Sequence, residues 1–377
     1  MLNILVALLC FFNAFTASAQ AQILQKTIDK ITNAQNISYE VFNTSNDPFG
    51  GSDNKEKIRA IFFNRQKDGN YEKYRVDCDA TNGKFRYMGD GRQKIELYFK
   101  DSTYIITPAG SSNFVPDPLN IFLKSLKRVI NNAKYKTLML PDSTINKISC
   151  YHILLTWQDS SKKSFENTHV FINKTDNMIL AERSHIQGEM LKGGISLGII
   201  QMKESLTFSS YKLNVNKYDP KGTSIPTWFK PEQKALPLLS KGTIAPDWEL
   251  TATNNSTLSL ARLKGKVVLI DFTFNGCPAC MLTLPSIEKL HKKYDGTDVA
   301  IVTINTLDSK EEVLKFMSKN HIKAPIYIKG GVVSKTYHSQ AAPNFFVIDK
   351  QGVISKSYDG YFENFDTEIL TEIESLR

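Results

Sequence analysis

The sequence lacks several features that would assign it to common protein classes. No apolar run approaches the ~20 residues that a membrane-spanning helix needs, which excludes a channel or transporter built from helices. There is no internal repeat, no long block of Lys and Arg, and no nucleic-acid-binding motif. With 41% hydrophobic and 23% charged residues, the chain is not fibrous or disordered. Its 377 residues suffice for two domains, each with its own core.

Negative charge is scarce in the first part of the chain. The net charge of +9 comes entirely from residues 1–240, because residues 241–377 hold equal numbers of basic and acidic side chains. A basic half is compatible with an anionic partner such as lipid headgroups. Because the charges are dispersed, we favour an ordinary solvated surface and expect no nucleic-acid partner.

The N-terminus has the pattern of an export signal. Residues 4–15 form a short apolar run, and Ala17 and Ala19 are the small residues that precede a cleavage site. No Lys or Arg precedes the run, so a buried helix remains the alternative. We expect residues 1–19 to be a signal peptide and the mature chain to be exported to the periplasm or cell envelope. Cys10 lies inside the apolar run, which argues against a lipid anchor.

Cysteine is also sparse, and four of the five remain after removal of the signal. An even number in an exported protein permits disulfides. Cys277 and Cys280 form a Cys-x-x-Cys motif. Cys78 and Cys150 either form a structural disulfide or remain two buried thiols, and the sequence leaves both alternatives open.

A proline-rich stretch, residues 216–248, divides the chain. We place the domain boundary near 235–240, which gives a first domain of residues 20–235 and a second of residues 236–377. The first domain reads as mostly β. Residues 85–106 alternate apolar and polar positions as an antiparallel meander does, and Asp117-Pro118 starts a helix with an apolar stripe. Further elements are expected as a short helix at 23–35 and strands at 147–157, 168–173, 178–186 and 195–212.

The first domain resembles the LolA-like lipoprotein-carrier half-barrels, through the order of its elements and the hairpin of residues 169–180. The resemblance implies a concave sheet that holds a hydrophobic ligand such as an acyl chain, or a partner peptide. The alternative is a β-sandwich or barrel without a ligand.

The second domain carries a motif that indicates a chemical activity. Residues 266–274 are a nearly continuous apolar run, as in a strand buried on both faces, and Asn275-Gly276 then turns the chain. The Cys277-Pro-Ala-Cys280 motif follows and opens a segment with helical apolar spacing. A helix N-terminus favours a thiolate, so Cys277 is predicted as the exposed nucleophile and Cys280 as the resolving thiol.

Two other readings of this motif are weaker. A zinc site would need a second Cys-x-x-Cys or suitably spaced histidines, and His291, His321 and His338 are scattered. A purely structural disulfide is the other alternative. We therefore predict no metal, and no cofactor beyond the redox-active dithiol.

The rest of this domain alternates strands and helices. We expect a strand at 299–304, a helix capped by Ser309, a hairpin of 345–349 with 353–358, and a closing helix at 366–376.

Residues 241–377 resemble the thioredoxin fold, specifically the TlpA/ResA-like exported thiol-disulfide oxidoreductases. The segments that carry the resemblance are residues 245–250, 258–270, 277–280 and 342–352. It implies an α/β domain that follows the mostly-β one. It also implies protein disulfides as substrates and a membrane-bound thiol-disulfide electron donor.

The same resemblance implies roles for individual residues. Pro343 occupies the place of a cis-proline facing the dithiol, where the Ala342 backbone can pair with a substrate strand. Asp271 matches a buried acid that exchanges a proton with Cys280. Gly276 stands where the family often has Trp, which leaves the nucleophile less covered; the backbone at this position is expected to contact the substrate. Pro285 matches a proline that kinks the active-site helix.

These residues predict an exported thiol-disulfide oxidoreductase that reduces disulfides of cell-envelope proteins. The intervening Pro278-Ala279 leaves a disulfide-forming oxidant open as an alternative. A lipid- or lipoprotein-binding module with an accessory redox domain is another. Residues 272–278 are also similar to peroxiredoxins, but Phe274 stands where those enzymes usually have Thr.

Overall fold

The structure is a computed structural model that describes residues 19–49, 51, 53–68, 70–109, 115–192, 195–214, 224–232 and 236–377, with the backbone alone for 192 and 195–197. Residues 1–18 of the predicted signal peptide, with Cys10, lie outside the described residues. The chain divides into two compact units, and their main division falls between Glu232 and Gln233. This lies just before the predicted boundary.

Twelve strands of the described residues form one large sheet in the first unit, in the order β12-β6-β5-β4-β3-β2-β1-β11-β10-β9-β8-β7. The strands are β1 Ile37–Ser45, β2 Asn54–Arg65, β3 Tyr71–Ala80, β4 Gly83–Asp90, β5 Gln93–Tyr98, β6 Thr103–Pro108, β7 Lys136–Ile145, β8 Ile148–Gln158, β9 Phe165–Asn173, β10 Ile179–Lys192, β11 Ile195–Leu213 and β12 Lys230–Pro231. Neighbours such as β1 and β2 are antiparallel, whereas β12 runs parallel to β6. The mostly-β prediction is therefore confirmed.

Two helices contribute apolar side chains to the core of this sheet. Helix α1 covers residues 19–32 of the described chain, and α2 spans Pro118–Ile130. Asp117 caps α2 by accepting the N–H of Asn120 at 3.1 Å, and it also accepts the hydroxyl of Tyr39 at 2.7 Å. Alternate residues of β1 are buried, since one face of the strand meets the core. The shared core contains Leu24, Ile28, Ile31, Val41, Ile58, Leu119, Leu123, Leu126, Val170 and Phe208.

The second unit holds a five-stranded sheet in the order β17-β16-β15-β18-β19. Its strands are β15 Val267–Thr273, β16 Val299–Asn305, β17 Ile326–Tyr327, β18 Asn344–Ile348 and β19 Ile354–Asp359. Its helices are α3 Pro278–Tyr294, α4 Lys310–Lys319, α5 Gly331–Thr336 and α6 Phe365–Ser375. A small hairpin, β13 Glu249–Thr251 with β14 Thr257–Ser259, precedes them. Strands β15, β16 and β17 are parallel to one another, whereas β18 is antiparallel to both of its neighbours, β15 and β19.

Strand β15 is buried on both faces, as its apolar run predicts. Val267 and Leu269 face a core shared with Ile287 of α3 and Ile369 of α6. The alternate residues, Val268, Ile270 and Phe272, face a second core that includes Trp248 and Tyr337. The α/β prediction is therefore confirmed for this unit. None of the helices in the described part of the chain is both long enough and apolar enough to cross a membrane.

Candidate functional site

The dithiol lies where β15 gives way to α3. Gly276 has a φ of 80°, in the left-handed region that a residue without Cβ adopts at least cost. Cys277 is the N-cap of α3, and Pro278 occupies its first turn, where no N–H is needed for a helical hydrogen bond. The chain thus leaves a buried strand, turns at a glycine and presents Cys277 at the start of a helix.

The two cysteines form a disulfide with each other. Sγ of Cys277 also accepts a hydrogen bond from the backbone N–H of Cys280, with a distance of 3.1 Å between nitrogen and sulfur. An N–H in the first turn of a helix stabilises negative charge on the atom that it faces. The arrangement therefore favours a thiolate on Cys277 after reduction.

The Ala342–Pro343 peptide bond is cis, and the carbonyl oxygen of Ala342 lies 3.5 Å from Sγ of Cys277. The structure therefore brings Ala342 and Pro343 beside Cys277, although more than sixty positions separate them from Cys277 in the chain. The same loop is held by the backbone N–H of Gly360, which donates to the carbonyl oxygen of Pro343 at 2.9 Å.

The dithiol is more buried than its sequence suggests. Only 2% of Cys277 and 8% of Cys280 is exposed in this oxidised form. The expectation of an exposed Cys277 is wrong for this state, because the Ala342 carbonyl lies against its sulfur. The small residues Gly276 and Ala279, close to Cys277 in the sequence, gave no sign of this burial. The atom that buries Cys277 belongs to Ala342, which is distant in sequence.

Asp271 is buried in β15, with 5% of its surface exposed. By strand alternation it shares the face of Val267 and Leu269, which pack against α3. Burial raises the pKa of its carboxyl to about 7, although a hydrogen bond from the Thr303 hydroxyl, 3.3 Å from Oδ2, lowers it somewhat. The other oxygen, Oδ1, has no hydrogen-bond partner among the described residues. The carboxyl is thus suited to exchange a proton near neutral pH.

A polar cluster fixes the turn before Cys277, and sequence reasoning missed it. The backbone N–H of Asn275 donates to Asp308 at 2.7 Å, and the Asn305 side chain donates to the same carboxylate oxygen at 2.9 Å. Asn305 is 1% exposed. These contacts tie the end of β15 to the loop that follows β16.

A second missed cluster lies beside Pro343. The Asn344 side chain accepts the hydroxyl of Ser339 at 2.9 Å and donates to Asp359 at 2.8 Å. Asn344 is 1% exposed, so these partners satisfy an amide that is removed from water. They hold the backbone that follows the cis-proline.

Pro285 lies inside α3, as expected from the sequence. A proline there removes one helical hydrogen bond and bends the helix. We therefore treat its role as structural.

Cys78 and Cys150 do not belong to this site. They are buried on β3 and β8, and they are free rather than joined, which answers the question that the sequence left open. Burial, reinforced by the nearby Glu56 carboxyl, raises the pKa of Cys78 to about 12. Burial also raises the pKa of Cys150. Neither thiol forms a thiolate readily at neutral pH.

Residues 241–357 match the model of the AhpC/TSA family. The chain is 29% identical over 134 residues to the thiol-disulfide oxidoreductase ResA of Bacillus cereus, and this match covers 35% of the chain and 75% of ResA. It is 30% identical over 125 residues to the thioredoxin-like protein YneN of Bacillus subtilis, and this match covers 32% of the chain and 73% of YneN.

Solved structures show similarity over about the same share of the chain. The exposed lipoprotein thioredoxin of Streptococcus pneumoniae is 27% identical and covers 35% of this chain and 100% of its own, with a TM-score of 0.31. The thioredoxin domain of a thiol-disulfide oxidoreductase of Bacteroides vulgatus is 22% identical and covers 36% and 99%, with a TM-score of 0.33. On the strength of its sequence relatives, the chain belongs to the thioredoxin-like, TlpA/ResA-type family of thiol-disulfide oxidoreductases.

Proposed function

We propose that this protein is an exported thiol-disulfide oxidoreductase that reduces disulfides of cell-envelope proteins. One observation carries the proposal: Sγ of Cys277 accepts the Cys280 N–H at the start of α3 and lies beside the carbonyl of Ala342. This places a stabilised sulfur next to backbone that can pair with a substrate. A merely structural disulfide has no need of either feature.

The reaction begins with the reduced dithiol. The Cys277 thiolate attacks one sulfur of the substrate disulfide, and that S–S bond breaks as a mixed disulfide forms. The released substrate thiolate takes a proton. Cys280 then attacks the sulfur of Cys277, the mixed disulfide breaks, and the second substrate thiolate leaves and is protonated. Two electrons pass from the dithiol to the substrate, and Cys277 and Cys280 end as the disulfide seen here.

Asp271 supplies the base for the second step. As a carboxylate it accepts the proton of Cys280, either directly or through water, and its pKa of about 7 allows it to release that proton again. Its place on the α3 side of β15 supports this assignment.

The backbone at Ala342, Pro343 and Gly276 surrounds the approach to Cys277. The carbonyl of Ala342 is a hydrogen-bond acceptor for an extended substrate segment. A side chain at Gly276 would clash with the Asp47 carboxylate, so the glycine lets that part of the chain pack closely against the turn before Cys277. Recognition through the Ala342 carbonyl favours substrate backbone over particular side chains. To repeat the cycle, the disulfide must be reduced again, for which we propose a membrane-bound thiol-disulfide donor.

The reduction of insulin disulfides tests this activity, with the full mature chain pre-reduced and the excess reductant removed. The wild type should reduce one disulfide per molecule rapidly. Cys277→Ser should abolish the reaction, and Cys280→Ser should stop it at a stable mixed disulfide. Cys150→Ser is the matched control and should leave it unchanged. Equal activity in Cys277→Ser and wild type would overturn the proposal.

Export and ligand binding need separate tests. N-terminal sequencing of the protein from the cell envelope should begin after Ala19 if residues 1–19 are a signal peptide.

For the first unit we propose a LolA-like half-barrel that takes a hydrophobic ligand. A cavity between α2 and the large sheet favours this second function. No nucleic acid, metal or cofactor is part of either proposal.

A further inference from the structure

A cluster of carboxyl groups lies on the face of the large sheet that meets α2. Asn43 on β1 is directly opposite Glu56 on β2, and opposite Leu206 on β11. Glu204 lies two residues before Leu206 and therefore on the same face. The Asn43 side chain hydrogen-bonds both carboxyl groups. Three neighbouring strands thus bring two acids and an amide together.

These groups line a cavity of about 270 Å³ at the start of α2. The rest of its wall is mostly apolar and consists of Ile58, Tyr87, Pro116, Pro118, Ile121, Phe122 and Leu206. This volume lies near the lower end for small-molecule sites, about 300–1,000 Å³. The cavity therefore has one polar, acidic end and an apolar body.

The acids of this region have no basic partner. Within the described chain, neither Glu56 nor Glu204 forms an ion pair, nor does Glu182, whose carboxyl interacts electrostatically with that of Glu204. By contrast, Lys94, which is buried elsewhere in the sheet, is paired with Glu96 at 3.0 Å. Burial is the main cause that raises the pKa of all three carboxyls, because a buried carboxylate is disfavoured where no positive charge lies beside it.

One buried acceptor atom at the cavity also lacks a hydrogen-bond donor. Oδ1 of Asn43, a residue 9% exposed that lines the cavity, has no partner among the described residues. Buried polar atoms are nearly always paired in folded proteins. A donor that carries positive charge would satisfy this oxygen and stabilise the two carboxylates beside it.

We propose that the cavity binds an amphiphile with an ammonium head group, placed between Asn43, Glu56 and Glu204, and with its alkyl chain against Ile58 and Phe122. An ammonium supplies three N–H donors and one positive charge, which match the free Asn43 oxygen and the two carboxylates. The mostly apolar wall favours a cation that carries an alkyl chain over a purely polar one. This site lies in the first unit and does not depend on the dithiol.

Isothermal titration of the full mature protein with n-octylammonium chloride tests the proposal, with n-octanoate and n-octanol as ligands of matched length. Octylammonium should bind at least tenfold more tightly than either of them. Equal affinity for the three would show an apolar cavity without head-group selection, and no detectable binding of octylammonium would also overturn the proposal. The ligand series needs no variant, so it remains decisive if a variant fails to fold.

Two variants then locate the site. Glu56→Gln and Glu204→Gln should each weaken octylammonium binding at least tenfold, because each removes one negative charge from the head-group end. Glu40→Gln is the matched control, since Glu40 lies on the opposite face of β1 and pairs with Lys57 at 3.5 Å. Equal losses in all three variants would contradict the assignment. Insulin reduction measured in parallel reports on the dithiol separately.

Discussion

At the scale of the residue, we expect Asp271 to determine how the dithiol responds to pH. If its carboxylate accepts the Cys280 proton, the second step should accelerate as pH rises through about 7. A chromogenic aryl thiol attached to Cys277 as a mixed disulfide reports this step directly, because attack by Cys280 releases it. Asp271→Asn should slow the release at pH 7 by about 10²-fold and remove the inflection.

Thr303 provides the control for that experiment. Its hydroxyl donates to the Asp271 carboxyl and lowers its pKa. Thr303→Val keeps the base but loses this bond, so the inflection should move to higher pH while the maximal rate stays near that of the wild type. An unchanged pH profile in Asp271→Asn would remove Asp271 from the mechanism.

The same carboxyl affects stability with a defined sign. Burial raises its folded-state pKa from 3.8 to about 7, so the folded protein holds the proton more tightly than the unfolded chain. The stabilisation of the folded state by this proton binding is fully present below pH 4 and is lost as pH rises through 7. Wild type should therefore lose up to about 4 kcal/mol relative to Asp271→Asn between pH 4 and pH 8, at 1.36 kcal/mol per pKa unit. Urea unfolding of both proteins across this range measures the difference; parallel curves would contradict it.

Cys277 should be far more reactive than Cys78 and Cys150. The N–H of Cys280 favours the Cys277 thiolate, whereas burial raises the pKa of Cys78 to about 12. Iodoacetamide at pH 7.5 should therefore label Cys277 in the reduced, folded protein and leave Cys78 and Cys150 unmodified until denaturant is added. Peptide mass spectrometry locates the label. Rapid labelling of Cys78 without denaturant would contradict its burial.

At the scale of the element, the loop around Pro343 depends on Asn344. Asn344→Ala leaves the Ser339 hydroxyl and the Asp359 carboxyl without their amide partner, and the backbone beside Cys277 loses its support. We expect a loss of about 1–3 kcal/mol in unfolding free energy. We also expect a higher KM for insulin with kcat changed less, because substrate positioning is affected more than thiol chemistry.

Gln351→Ala, a change of an exposed amide in the β18–β19 turn, is the matched control for this variant. It should leave both stability and KM unchanged. If Asn344→Ala loses stability without any change in KM, Asn344 supports the fold alone and does not position the substrate loop.

Elements defined by local rules were predicted from sequence. The apolar run of β15, the Asp117 cap of α2 and the Ser309 cap of α4 each rest on residues close together in the chain. The missed elements rest on distant partners. The N–H of Gly330, just before α5, bonds the Asn305 carbonyl, and β17 has only two residues. No periodicity can indicate segments this short.

The residues of the site fall into the same two groups, those predicted from sequence and those that were missed. Its cysteines, its acid and its proline follow from a motif and a resemblance, because each stands at a fixed spacing from its element. The cover of Cys277 and the clusters at Asn305 and Asn344 do not, since their partners come from other loops. The large sheet also joins β1 to β11, a pairing that no local pattern encodes.

At the scale of the whole molecule, the direction of electron flow depends on the reduction potential of the dithiol. Within the described residues, Sγ of Cys277 has one backbone donor, the Cys280 N–H, and faces one acceptor, the Ala342 carbonyl oxygen. The donor favours a thiolate on Cys277 and the acceptor opposes it, so we expect the reduced form to be less stabilised than in a strong oxidant. We expect a dithiol with this balance to pass its electrons to a substrate disulfide.

We therefore expect the full mature protein to have a potential near that of thioredoxin, about −270 mV, when equilibrated with dithiothreitol buffers. The double variant Cys78→Ser, Cys150→Ser should give the same value, because neither thiol takes part. A value near −120 mV, as in strong periplasmic oxidants, would reverse the proposed direction and make the protein a source of disulfides. Because the potential fixes whether electrons leave or enter Cys277 in an oxidising compartment, it also decides whether the reductant that resets the cycle is required at all.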